Sequence, residues 1–199
     1  MLRSCALVLV LVTIAVLICA GFAGADDATP PTVTPPNGDV YVGATLSPGF
    51  GMGIATGGNA QNWVTDDHKG TMECAYPAGQ GWGALFITAG APLRNIALRH
   101  TLNYSGYTSL VLDLKGAQGG ETISIGVKTA TDPDNGQEPK HWVKGLTADW
   151  QTVSIPLREL VDAPDGYPAD RFGSLYVVCE LVFGTPAETI YFRNVHYEK

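Results

Sequence analysis

The chain has 199 residues, 45 % of them hydrophobic and 16 % charged, and a formal net charge of −7. That length suits one sizeable core. Its longest basic cluster is "KHWVK" at Lys140–Lys144, too thin for the phosphate contacts of a nucleic-acid binder, so that class is excluded.

The N-terminus has the layout of a secretory signal. Arg3 is the charged start, "CALVLVLVTIAVLICAGF" the apolar run, and Ala23-Gly24-Ala25 a small-x-small cleavage site before Asp26. The apolar run is also near the ~20 residues of a membrane anchor. Cys19 offers a third route, lipid attachment, although Ile18 before it is not small. Cleavage after residue 25 leaves 174 residues, with 11 basic against 19 acidic side chains, a net charge of −8 and no membrane span. The product is expected to be secreted: extracellular, periplasmic or at the cell surface.

Asp26–Gly38, "DDATPPTVTPPNG", is rich in Pro and Thr and reads as an extended tether. One domain follows, over residues 39–199. It retains two cysteines, Cys74 and Cys179. In an oxidising compartment they allow a single disulfide, and each also suits a buried free thiol. Neither has a partner at zinc-ligand spacing.

Period-two alternation marks strands throughout this domain. "LVLDLK" sets Leu110, Leu112 and Leu114 on one face, "ETISIGVKT" sets Ile123, Ile125 and Val127, and "QTVSI" sets Val153 and Ile155. "GSLYVVCELVFG" is more continuously apolar, as a central strand would be. Ile190 and Phe192 alternate, then Val195 and Tyr197 do so one residue out of phase, which predicts a bulge between them. Turn residues separate these runs at "KGAQGGE", "DPDNGQE", "DAPDGYP" and "GTPAE". The single helix-sized candidate is the short "APLRNIALRH". The expected fold is all-β, a β-sandwich or jelly roll.

"SPGFGMGIATGGN" (47–59) is glycine-rich like a phosphate loop. No Lys-Ser, Lys-Thr or helix follows it, so its glycines are read as permitting bends, bulges and close sheet packing.

From Tyr104 onward the pattern resembles a galactose-binding-like β-sandwich. "SGYTSLVLDLKGAQGGETISIGVKT" resembles its middle strands, "ADWQTVSIPLREL" the segment with a tryptophan before an "IPL" strand end, and "LYVVCELVFG" with "ETIYFRNVHYE" the closing strands. That architecture is common in carbohydrate-binding modules of secreted polysaccharide-degrading enzymes, so the resemblance implies sugar binding. Members often carry, in a "FDNI"-like strand, an Asp that helps hold a structural calcium. Here Arg193 takes that place, which a cation does not favour.

Catalytic signatures are absent: no Gly-x-Ser-x-Gly, no His-Glu-x-x-His and no Glu-x-Asp-x-x-Glu. No cofactor is required by this reading. A sugar site asks for aromatic platforms beside planar polar side chains. Trp63 and Trp142 have polar neighbours and are expected as exposed platforms; Trp82 fits a solvent face or a second layer; Tyr167 is a loop-tip aromatic; Trp150 packs at a strand start. The loop "TDPDNGQEPKHW" adds Asp134, Asn135, Gln137 and Lys140 as hydrogen-bonding partners, and its Asp132 and Asp134 as ligands for a possible calcium. The expected function is non-catalytic recognition of a polysaccharide or glycan, alone or beside a catalytic partner. The alternative is a structural β-sandwich that binds an envelope or other extracellular protein.

Overall fold

The computed structural model describes residues 33–35, 37–58, 60–132, 135–161 and 170–199. The signal segment, Cys19, most of the tether, Asp134 and Tyr167 lie outside the described residues.

Twelve strands are present among the described residues. They are β1 (Asp39–Val42), β2 (Thr45–Leu46), β3 (Phe50–Thr56), β4 (Val64–Asp66), β5 (Met72–Tyr76), β6 (Gly83–Ala89), β7 (Ser109–Gly116), β8 (Thr122–Thr129), β9 (Lys140–Lys144), β10 (Gln151–Pro156), β11 (Leu175–Phe183) and β12 (Glu188–Glu198). One sheet has five strands in the order β3-β6-β11-β8-β9. The other has seven, with β10-β7-β12-β1-β2 in order and β5 and β4 continuing from the first half of β12. All strand pairings are antiparallel. The sheets face each other across one core, as the alternation predicts. Leu110, Leu112 and Leu114 enter it from β7, Ile123, Ile125 and Val127 from β8, and Leu85 and Ile87 from β6.

The bulge in β12 falls where the phase slip placed it. Arg193 pairs with Asp113 and His196 with Val111, so β12 carries one extra residue there, and Asn194 takes a positive φ of 53°. The slip keeps Ile190, Phe192, Val195 and Tyr197 all in the core. Arg193 is committed to structure: its Nε donates to Asp113 Oδ2 at 3.1 Å and its guanidinium lies 4.1 Å from the Trp150 ring centroid. Trp150 is half-buried at the start of β10, as expected.

Four expectations change. The helix candidate forms only the single 3-10 turn Ile96–Leu98, started by Asn95, whose side chain accepts from the Ala97 N–H. The end of the tether packs on the domain: Val33 O accepts from Asn103 N at 2.9 Å, and Gly38 O from Tyr197 N at 2.9 Å. Cys74 on β5 and Cys179 on β11 are free buried thiols in the core, so the disulfide is not formed. Burial pushes the Cys179 thiol up to about 12, so little of the thiolate needed for exchange exists at neutral pH. Trp63 is 4 % exposed and belongs to the core, edge-on to Tyr76 and Phe183 with centroids at 5.7 and 5.2 Å. It is not a platform. Its polar sequence neighbours are outweighed by two rings brought in from β5 and β11.

Candidate functional site

The outer face of the five-stranded sheet carries a groove of about 960 Å³. Strand register assembles it. Lys140, Gly126, Glu180, Phe86 and Gly53 form one row across β9, β8, β11, β6 and β3. The next row is Trp142, Ser124, Val182, Ala84 and Ala55. Small residues in both rows keep the floor low, while Phe86 and the charged chains stand up from it.

Trp82 lines the groove and is 48 % exposed; Trp142 is 60 % exposed on the same face of edge strand β9, beyond the groove's lining. Three interstrand spacings, about 14 Å, separate their strands. Both rings stand on a face of the kind that binds flat apolar surfaces. Most large apolar side chains of this size are buried in this protein, so two exposed tryptophans on one face are the site's clearest mark.

The glycines of 47–59 now have a role. A Cβ at Gly53 would lie 2.6 Å from Phe86 Cε2, and one at Gly57 would lie 2.8 Å from Trp82 Cδ1. Those two rings rest on glycine backbone, the close packing read from the sequence. Gly57→Ala is therefore expected to tilt Trp82 off its seat. Ligand affinity should drop about threefold to tenfold while thermal stability changes by less than about 1 kcal/mol, because the site is at the surface. Parallel titration calorimetry and thermal unfolding would check both.

A charged cluster lies on the same face, beside the Trp142 row. Lys128 Nζ is 3.3 Å from Glu138 Oε1 and 3.5 Å from Glu180 Oε1, and Lys140 Nζ is 2.7 Å from Glu138 Oε1. The carboxylate side chains are 1 % and 7 % exposed, the lysines 11–12 %. Burial and the neighbouring Glu138 push Glu180 up to about 7, against the pull of Lys128. Glu138 goes the other way: burial opposes ionisation, but the Lys140 hydrogen bond and the Lys128 charge prevail and hold it well below the usual carboxylate range.

Of the expected polar partners, Asn135 and Lys140 line the groove. Gln137 does not; it is exposed and its backbone N–H donates to Asn135 Oδ1 at 3.1 Å. Asp132 is not available to a cation. It is 2 % exposed, accepts from Thr129 N and Oγ1 at 2.9 and 2.7 Å, and faces Arg171 Nη2 at 3.5 Å. These bonds instead fix the loop that delivers Asn135 and Glu138 to the groove. Among the described residues no group of three His, Cys, Asp or Glu is placed to hold a metal.

Sequence reasoning missed Lys128, Glu180, Phe86 and the rim residue Arg99, which lies over the Tyr176 ring at 4.6 Å and donates to Leu93 O at 3.0 Å. The signal for Glu180 was present: it is the one charged residue in the nine-residue apolar strand β11.

A two-sheet sandwich with exposed aromatic side chains along a groove on one sheet face is the form of a carbohydrate-binding module. Residues 27–199 match the model of Carbohydrate binding domain 30, and the chain belongs to that family of non-catalytic binding modules. The fold is similar to a crystal structure of a family 30 carbohydrate-binding module, 22 % identical, covering 82 % of this chain and 98 % of that one with a TM-score of 0.54. It is also similar to the family 11 carbohydrate-binding module from Clostridium thermocellum in complex with a β-1,3-1,4-mixed-linked tetrasaccharide, 10 % identical, covering 81 % and 95 %, with a TM-score of 0.51. No curated protein matches the chain significantly.

Proposed function

We propose that this protein is exported and binds a linear polysaccharide along the outer face of the five-stranded sheet, without cleaving it. The observation that carries the reading is the pair of exposed tryptophans, Trp82 and Trp142, on one face, with Trp82 lining the groove there. Indole faces stack on the C–H faces of sugar rings, and the cluster's carboxylates and lysines suit their hydroxyls. The signal-like first 25 residues support export.

The neighbouring carboxylates do not revive an enzyme. Glu138 and Glu180 are buried, with side chains 1 % and 7 % exposed, and Lys128 Nζ bridges them at 3.3 and 3.5 Å, whereas a glycosidase pair faces across an open cleft with the glycosidic bond between its carboxyls. The protein-binding alternative calls for a broad flat apolar patch, whereas this face is a concave groove with Lys128, Glu138, Lys140 and Glu180 in its lining.

A mixed-linkage β-glucan is the first ligand to try, since the family 11 module named above was solved with such a tetrasaccharide. Affinity electrophoresis of the chain from Asp26 onward through gels carrying β-glucan, xylan, mannan or pectin should show retardation in at least one. Uniform migration of folded protein across the panel would sink the proposal.

A further inference from the structure

Glu138 and Glu180 contain a contradiction that the sugar-binding role does not explain. Glu138 Oε2 and Glu180 Oε2 are both buried and both lack a hydrogen-bond partner. An orphaned buried acceptor is costly, more so when charged, and two beside each other would add mutual repulsion. Yet the two carboxyls are neighbours, both reached by Lys128 Nζ at 3.3 and 3.5 Å, and Glu138 raises the affinity of Glu180 for a proton. Two ionised carboxylates have only acceptors and cannot bond to each other. One added proton eases the difficulty: a neutral carboxylic acid can donate where two carboxylates only accept, and it removes the repulsion between the pair.

We infer that Glu138 and Glu180 share a single proton in the floor of the groove, and that glycan binding at this face is linked to that proton. The inference rests on the groove being the glycan site.

The surroundings support one proton and no more. The groups facing Glu180 are Lys128 on its β8 side, Phe86 on its β6 side, and Glu138 and Lys140 from the loop and β9. Arg94 and Arg99 line the same groove from its rim, and Arg99 is stacked on Tyr176. With the proton present, Glu138 is the one anion between two lysines. Without it, a second buried negative charge stands against the first, and the carboxylates must separate or admit water. Glu138 belongs to the loop that carries Asn135 and lies two residues before Lys140, so separation disturbs the rim as well.

The direction of the linkage follows. A sugar ring laid over the cluster removes water from Glu180, and desolvation favours the neutral acid. Ligand therefore strengthens proton binding, and by reciprocity the proton strengthens ligand binding. Folding is linked too. The unfolded chain ionises Glu180 near the usual 4.5 of a free glutamate, while the folded one holds the proton to about 7. Folding takes up a proton in that window, so this group's contribution to stability is full below it and lost as pH rises through it.

The test has a ligand-free part and a ligand part. In protein labelled with 13C at the glutamate carboxyls, one carboxyl signal should titrate near neutrality and vanish in Glu180→Gln. If every glutamate titrates below about pH 5, like free carboxyls, the shared proton is overturned. Calorimetric titration with soluble mixed-linkage β-glucan should then show an affinity about tenfold weaker at about pH 8.5 than at about pH 5.5, a coupling of ordinary size. Glu180→Gln, whose amide donates permanently to Glu138, should lose that dependence. Affinity that is flat or rises with pH in the wild type overturns the linkage and leaves the groove reading standing. Glucan binding absent at every pH overturns the glucan reading, while the carboxyl titration still decides the pair.

Discussion

Trp142→Ala and Trp82→Ala are each expected to weaken polysaccharide binding by about 2 kcal/mol, near thirtyfold, and together to abolish measurable retention. The size follows from what is removed. Each indole stands proud of the sheet, 60 % and 48 % exposed, which leaves ring surface free for a ligand. For the same reason the melting temperature of either variant should stay within the shift of a surface substitution, about 0.5 kcal/mol. Trp150→Ala is the matched control. Trp150 sits at the start of β10 in the seven-stranded sheet, under Arg193 and Lys115. Removing it should lower stability and leave the affinity of the folded protein unchanged. Affinity electrophoresis beside thermal unfolding reads both quantities. Normal retention by folded Trp82→Ala/Trp142→Ala protein would place the ligand on another surface.

The sandwich was legible in the sequence because burial on one face imposes a period of two, and that period survives without knowing any partner strand. The same logic located the β12 bulge, since Val195 and Tyr197 reach the core only if one residue is inserted after Phe192. Trp142 was read as exposed from its polar neighbours, and the structure gives the physical reason: Val143 beside it is buried and pairs with Ile123, so the Trp142 side chain points the other way. What one chain segment cannot reveal is which strands lie side by side. Lys128, Glu138, Lys140 and Glu180 are spread over 53 residues, and only the order β11-β8-β9 brings their charges into contact. Asp132 misled for the same reason. Its carboxylate looks free in an acidic loop, but Arg171, a residue of the 3-10 turn before β11, is folded against it.

Trp63 separates structural from ligand-binding tryptophans most sharply, because its sequence context resembles that of Trp142. Trp63→Ala should cost about 3 to 5 kcal/mol, the usual loss for a buried aromatic truncated to a methyl. In a domain of this size that lowers the melting temperature by roughly 10 °C. The ring fills the space between Tyr76 and Phe183, which are themselves stacked at 5.3 Å, so its loss opens a cavity that two other rings border. Trp63→Phe behaves differently. It keeps most of the aromatic volume and removes the indole Nε1–H, which is buried without a hydrogen-bond partner. The lost volume and the removed orphan donor oppose each other, and the net change should stay within about 1.5 kcal/mol. Neither substitution touches the outer face of the five-stranded sheet, so each protein, assayed below its own melting temperature, should bind polysaccharide as the wild type does. Thermal unfolding followed by affinity electrophoresis at low temperature makes the comparison. A stable Trp63→Ala protein that had lost only its binding would return Trp63 to the ligand site and move that site away from the Trp82–Trp142 face.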